Sequence, residues 1–424
     1  MLPRLRILQV GDVHLARTAK LGLKLDEKDR RFPLELRNRM AGGPIKTVFR
    51  RLHQFLEQDD FAFLLFMGDL AEQGDLNGFR ACVRYLAEAL QLGKGRRFEA
   101  LKVGIVPGNH DIDRVLAAKP SYTTKFTPLQ QAMTNAGLPL LPVDKPIWLD
   151  HQKGPCRIDV ALLNSCWGCG SPEYIPEEFR DEIVKAINSA LTKGVDEKAT
   201  RSYYDRQLDT PAFSKNTVQG LVEGASKLPG GSLIIACAHH NILPQRLPRL
   251  APYTELVNSG AIRSELSKLG RPVLYLHGHI HEDPVEIIQT SAGAPLVCIS
   301  APEASEGFNV VEIVFTPAGL PLSCYIEPWR FAESGVFAAM QRQVIPIGAG
   351  RRRPPNAVVV AIYQQIIAEQ SCFWGDMMSC AQKAGATHAA DATEEALELL
   401  TADQLVTIEH HELGREHWLV RSRL

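Results

Sequence analysis

Eight side chains able to bind a metal ion or move a proton fall at five places in the chain: Asp12 and His14; Asp69; Asn109 and His110; His239; His279 and His281. Each place directly follows an apolar run of strand length. Arg4–Val10 runs into Gly11-Asp12-Val13-His14, and Phe61–Met67 into Gly68-Asp69-Leu70. Leu101–Val106 is stopped by Pro107 and leads to Gly108-Asn109-His110-Asp111. Ser232–Ala238 ends in His239-His240-Asn241, and Pro272–Leu276 in His277-Gly278-His279-Ile280-His281. A single histidine beside a strand is ordinarily a satisfied core residue, and a single aspartate a cap. That explanation would have to be repeated at all five strand ends, and strand carboxyl ends are where open α/β sheets gather their chemistry. Asp12 and His14, like His279 and His281, are two residues apart, so on extended backbone they project to one side.

Imidazole, carboxylate and amide oxygen without thiolate suit Mn, Fe, Zn or Co rather than a structural, cysteine-rich zinc site. Eight such groups exceed the needs of one ion and suit two. Two metals about 3.5–4 Å apart lower the pKa of a shared water and clamp the attacking and leaving oxygens of a phosphoryl displacement. The expected cofactors are therefore two divalent transition ions, manganese first among the candidates.

The elements that must position these groups alternate between strand and helix. An amphipathic helix spans Pro44–Gln58, and a second runs from about Leu76 to Leu92 with Phe79, Cys82, Val83, Leu86 and Leu90 at helical spacing. Strand, helix, strand implies right-handed crossovers and parallel pairing. Arg157–Leu163 is a further strand, and helices near Pro211–Leu228 and Ala261–Leu269 precede the two histidine-bearing strands. Leu296–Ser300 and Asn309–Phe315 are expected as antiparallel closing strands. Residues 116–149 look irregular, and residues 17–44 and 171–210 look like insertions. The second insertion carries a helix near Pro176–Leu191 and is expected to belong to a cap over the site. The division expected is a catalytic body over 1–335, a linker over 336–356 containing Arg351-Arg352-Arg353-Pro354-Pro355, and a module over 357–424. Three helices and a terminal hairpin make that module winged-helix-like.

The chain has 424 residues, 45% hydrophobic and 22% charged, which allows a large core and excludes global disorder. A formal net charge of -1 argues against a protein that coats nucleic acid by charge alone. Residues 17–51 carry eleven basic against four acidic side chains, or +7. That stretch is first a solvated insertion; as a lip facing a polyanion it would make nucleic acid a partner. Residues 357–424 hold four basic and ten acidic side chains, or −6, so the module is expected to mediate protein contact or homo-oligomerisation instead. The opening residues lack the apolar core of a secretory signal, and no apolar run is long enough to span a bilayer. Nine scattered cysteines do not form a disulfide framework, and Cys166-Trp167-Gly168-Cys169, the one CxxC, is read as structural. A reducing cytoplasm and no membrane partner are expected.

Taken as a set, Asp12-Val13-His14, Gly68-Asp69, Gly108-Asn109-His110-Asp111, His239 and Gly278-His279-Ile280-His281 resemble the signature of the calcineurin-like metallophosphoesterase superfamily, in order and approximate spacing, over about residues 4 to 330. The resemblance implies an α/β fold, a β-sandwich flanked by helices (αββα), with a binuclear site at its edge. It implies that Asp12, His14, Asp69 and His281 hold one ion, and that Asp69 bridges to a second held by Asn109, His239 and His279. His110 would contact the phosphate or protonate the leaving oxygen, with Asp111 orienting it. Of the pair His239-His240 the family pattern favours His239 as ligand and His240 as its support; family members often have Pro where this chain has Asn241. Gly68 to Gly74, followed by a helix with Phe79 and Tyr85, is most similar to the cyclic-nucleotide phosphodiesterase branch. The activity expected is hydrolysis of a phosphodiester in a nucleotide or cyclic nucleotide. A nuclease of the same superfamily is the alternative enzyme, and a catalytically silent scaffold the alternative of another class.

Overall fold

The computed structural model describes residues 2–15, 44–58, 60–71, 74, 76–117, 121–170, 177–192, 210–243, 256–281, 284–289, 294–347 and 356–423. Strand β1 (Arg4–Val10) lies parallel to β2 (Phe63–Phe66), and β2 to β3 (Lys102–Ile105). Helices α1 (Pro44–Gln58) and α2 (Leu76–Ala89) fall between these strands in the chain. After helix α3 (Thr127–Ala136), β4 (Ile147–Lys153) and β5 (Cys156–Leu162) form an antiparallel pair. Helix α4 (Glu177–Thr192) falls in the second expected insertion, and α5 (Lys215–Ser226) and α6 (Ser259–Lys268) precede β6 (Leu233–Cys237) and β7 (Val273–His277) respectively. Strands β8 (Val285–Gln289), β9 (Pro295–Ser300), β10 (Gly307–Phe315), β11 (Pro321–Phe331), β12 (Phe337–Ala339) and β13 (Gln343–Pro346) follow.

These strands build two sheets. The first has the order β12-β11-β10-β1-β2-β3, with β13 also on β11, and the second β4-β5-β6-β7-β9-β8. Successive residues of a strand face opposite sides, and both sides of the central strands are apolar. Ile7, Phe63 and Leu65 meet Val160, Ile235, Leu274 and Val297 between the sheets. Leu8, Leu64 and Phe66 face outward under α1, α2 and α3 through Phe49, Leu52, Phe79, Leu86 and Met133. On the far side Ile234, Ala236 and Tyr275 lie under Leu221 of α5 and Ile262 and Leu266 of α6. The result is the helix–sheet–sheet–helix sandwich that the sequence implied.

Three expectations need correction. Pro295–Ser300 is parallel to β7 and antiparallel only to β8, because it returns into the sheet between them. An apolar run buried on both faces marks an interior strand and carries no direction. Residues 337–346, expected as linker, are strands paired with β11, and Phe337 packs against Trp329 and Phe331. The body of the fold therefore reaches Pro346. The stretch 116–149, expected as irregular, contains α3 and the start of β4. Residues 17–43 and the linker run 348–355 lie outside the described residues, as does most of the second insertion beyond α4.

The last part of the chain folds around its own core of Ile362, Ile366, Met377, Leu397 and Val420. Its helices are α7 (Ala357–Glu369), α8 (Trp374–Lys383) and α9 (Ala389–Ala402). Its three strands, β14 (Ser371–Phe373), β15 (Val406–Glu409) and β16 (Leu419–Ser422), run antiparallel in the order β14-β16-β15. Helix α9 rests on the first sheet, where Leu399 joins Leu2, Val314, Leu322 and Tyr325. Two of the module's acids are spent here: Glu394 accepts the Leu2 backbone N–H at 2.7 Å, and Glu398 accepts the Ser323 hydroxyl. Among the described residues no helix is long and apolar enough to cross a membrane.

Candidate metal centre

The site lies at one edge of the sandwich, where strands of both sheets stop. β1, β2 and β3 deliver Asp12 and His14, Asp69, and Asn109 and His110; β6 and β7 deliver His239, His279 and His281. The local backbone is unusual at these residues. His14, Asp69, His279 and His281 have φ of 44°, 48°, 67° and 56°, left-handed values that non-glycine residues adopt at a cost on the order of 1–3 kcal/mol each. The neighbouring glycines are required by close approach. A Cβ on Gly108 would stand 2.0 Å from Asp69 Oδ1, and one on Gly278 would stand 2.4 Å from Asp12 Oδ1.

The side chains converge as the sequence implied. His281 Nε2 is 2.5 Å from Asp12 Oδ2, and His14 Nε2 is 3.8 Å from Asp69 Oδ2. His239 Nε2 stands 3.4 Å from Asp69 Oδ2 and 3.0 Å from Asn109 Oδ1. Asp12, His14 and His281 offer ligand atoms within 4.8 Å of one another; so do Asp12, Asp69 and His239, and likewise His239, His240 and His279. The second grouping brings Asp12 close to both expected ion positions, with His239 Nδ1 at 3.7 Å from Asp12 Oδ1.

The buried carboxylates of this donor set govern the charge of the imidazoles around them. Asp12 and Asp69 are buried, and so is Asn109. Burial opposes charging His239, yet Asp69 and Asp12 outweigh it and push the imidazole up to about 10. Burial also raises Asp69, but the surrounding imidazoles, His239 first, hold it well below the usual carboxylate range. Where no carboxylate dominates, burial wins: His279 falls to about 3 and His240 well below its ordinary value, so both rings are neutral and carry the lone pair that a metal binds. Two buried ring nitrogens, His14 Nδ1 and His279 Nε2, have no hydrogen-bond partner. The His239 Nδ1 atom lies 2.7 Å from the Met67 carbonyl, a bond that turns Nε2 toward Asp69 and Asn109. Metal-binding histidines are ordinarily oriented in this way. The residues present fit a pair of divalent cations.

His110 stands at the open side of this cluster. It is partly exposed where Asp12, Asp69 and His239 are buried, its backbone N–H donates to Asp69 Oδ1 at 2.8 Å, and its ring meets that of His14 edge-on at 5.0 Å. Asp111 has a further duty. Its carboxylate accepts the backbone N–H groups of Leu70 and Ala71 at 3.1 Å and of Gly108 at 3.0 Å, so it fastens two donor loops together. Burial, and then the Asp69 charge, push its pKa up to about 7.

Other supporting groups went unanticipated. Glu303 lies 4.0 Å from His281 Nδ1. Beneath the cluster, Gln9 donates to the carbonyls of His277 at 3.3 Å and Ile299 at 3.0 Å, tying the sheets together. Asn309 donates to Gln9 Oε1 at 3.1 Å. A glutamine inside an otherwise apolar run just before Asp12 was the available signal. In the basic stretch, the described Arg51 is packed over Trp329 at 4.3 Å and Phe55 at 4.8 Å and does not form a free lip.

A sandwich of two sheets with carboxylates, an amide and imidazoles gathered at one edge defines a metallophosphoesterase. The family model for calcineurin-like phosphoesterases matches residues 5–283, and the chain belongs to that family. Among solved structures, a dimetal phosphatase from Danio rerio is similar at 12% identity and a TM-score of 0.46, covering 81% of this chain and 99% of its own. A purple acid phosphatase from yellow lupin seeds is similar at 10% identity and a TM-score of 0.42, covering 82% of this chain and 54% of its own. A putative 5'-nucleotidase from Staphylococcus aureus is similar at 12% identity and a TM-score of 0.38, with 81% and 54% covered. None of these likenesses is close enough to speak for substrate. No curated protein matches the chain.

Proposed function

We propose that this protein is a binuclear, manganese-preferring phosphodiesterase that hydrolyses a nucleotide or cyclic nucleotide. The observation that carries the metal-dependent part is the buried convergence of Asp12, Asp69 and Asn109 oxygens with the imidazoles of His14, His239, His279 and His281, of which His14 Nδ1 and His279 Nε2 have no hydrogen-bond partner. Asp12, His14, Asp69 and His281 hold one ion in this reading, and Asp69, Asn109, His239 and His279 the other. The ions, when bound, acidify water and offset charge on the phosphoryl oxygens. The chain's own residues do the rest. Asp69 holds His110 in place through its backbone N–H. His110, on the open side, carries the proton for the leaving oxygen. Asp111 keeps the Gly68–Ala71 and Gly108 loops in register. The choice of a diester rests on the similarity of Gly68–Gly74 and the following helix to the cyclic-nucleotide branch. Contact with a protein partner through the acidic C-terminal module is part of the same proposal.

The test is a panel of cyclic nucleotides, linear dinucleotides, single-stranded DNA and RNA, and phosphomonoesters, each with added Mn²⁺. Turnover of the mononucleotide diesters supports the proposal. Preference for polymers moves the assignment to a nuclease, and preference for monoesters to a phosphatase. Failure to bind metal or to hydrolyse any of them overturns the enzymatic reading.

A further inference from the structure

We infer a separate soft-metal site, of the kind that takes zinc, formed by Cys166, Cys169 and His240. A CxxC alone supplies half a ligand set. The fold supplies a third member from the end of β6. Cys166 and Cys169 close a turn through the Cys169 N–H and the Cys166 carbonyl at 3.1 Å. Their sulfurs and a His240 ring nitrogen lie within 4.8 Å of one another, and all three residues are buried.

The spacing is close to that of a bound ion. Cys166 Sγ is 3.9 Å from His240 Nδ1. Around a tetrahedral zinc, with bonds of about 2.3 Å to sulfur and 2.0 Å to nitrogen, those atoms stand about 3.5 Å apart. A contraction of a few tenths of an ångström suffices. Oxygen donors for a fourth position are at hand: Ser165 Oγ lies 2.9 Å from His240 Nδ1, and the Pro107 carbonyl lies 3.2 Å from Cys166 Sγ.

The turn is also held in place. Lys125 is fully buried, and its ammonium donates at 2.6 Å to the carbonyls of both Trp167 and Cys169. These two bonds fix the turn that carries both cysteines. Uptake of a divalent ion releases the two thiol protons to solvent and leaves two thiolates, one imidazole and the ion, with no redox change.

The location gives the site a purpose. Pro107 is two residues before Asn109, and His240 follows His239. An ion here ties the ends of β3, β5 and β6 together beside the donor cluster without sharing a ligand with the expected pair. It is a structural tie.

Cobalt substitution tests the inference, because only sulfur ligation gives a near-ultraviolet thiolate-to-cobalt charge-transfer band. The full-length protein, purified reduced and loaded with Co(II), is expected to show that band. The Cys166→Ser/Cys169→Ser double variant should lose it, together with about one bound ion per chain. Reduced, folded wild-type protein that takes up cobalt without the band overturns the inference, whatever the fate of the variant. So does a band that survives the double substitution.

Discussion

Asp69 is the residue on which most of the cluster turns. One carboxylate oxygen faces His14 and His239, and the other accepts the His110 backbone N–H. Asp69→Asn keeps the shape and removes the charge. We expect metal content to drop at both positions and turnover to fall by more than about 100-fold, since even groups that merely orient a ligand are worth 10–100-fold. Elemental analysis of the purified variant alongside its rate checks both parts. His110→Ala should separate them, retaining metal while losing about 10²–10⁴-fold in rate, the range for a positioned proton donor. Metal loss in that variant would contradict a proton-transfer role. The donors themselves were legible in the sequence because residue type and place after a strand suffice to nominate them. The duty of Asp111 was not: adjacency to His110 suggested a ring contact, and only the fold brings Leu70 and Ala71 to its carboxylate.

At the scale of elements, strands buried on both faces announced themselves as apolar runs stopped by glycine or proline, and β1, β2, β3, β5, β6 and β7 were found that way. Edge strands gave no such signal. β4, Ile147–Lys153, is half-exposed along its length, and β12 and β13 are three and four residues long. The polar tie between the sheets was equally silent, because Gln9 acquires its partners from residues 268 and 290 positions away. Its removal has a definite cost. Gln9→Ala removes three buried hydrogen bonds, each worth about 0.5–1.5 kcal/mol net, while the His277 carbonyl keeps the Ala301 N–H and Asn309 keeps its bonds to Ser300 and Arg330. Urea unfolding should show a loss of at least about 1 kcal/mol. An unchanged midpoint would mean that the tie carries no stability.

For the whole molecule, the contact between the C-terminal module and the first sheet is the least legible feature, since an acidic segment gave no hint that its acids face inward. Burial raises the Glu398 carboxyl above its ordinary 4.5, more than the Ser323, Tyr325 and Arg4 contacts lower it. The folded state therefore binds this proton more tightly than the unfolded chain does. The associated stability is present below pH 4.5 and declines as pH rises through the raised value. Glu312, held low by Arg342 and Arg4 against the effect of burial, acts in the opposite direction and loses its contribution as pH falls. Glu398→Gln isolates the first effect. The melting temperature of the variant should gain on the wild type as pH is raised from 4.5 toward neutrality; parallel curves would sink the assignment.

The donors divide by sheet. Both carboxylates and the amide come from strands in the first third of the chain, while His239, His279 and His281 arrive on strands of the other sheet. On a growing nascent chain the two carboxylates and the amide, together with His14 and His110, are thus made long before the three imidazoles of the other sheet. The full set of donors is consequently complete only once residue 281 has been made.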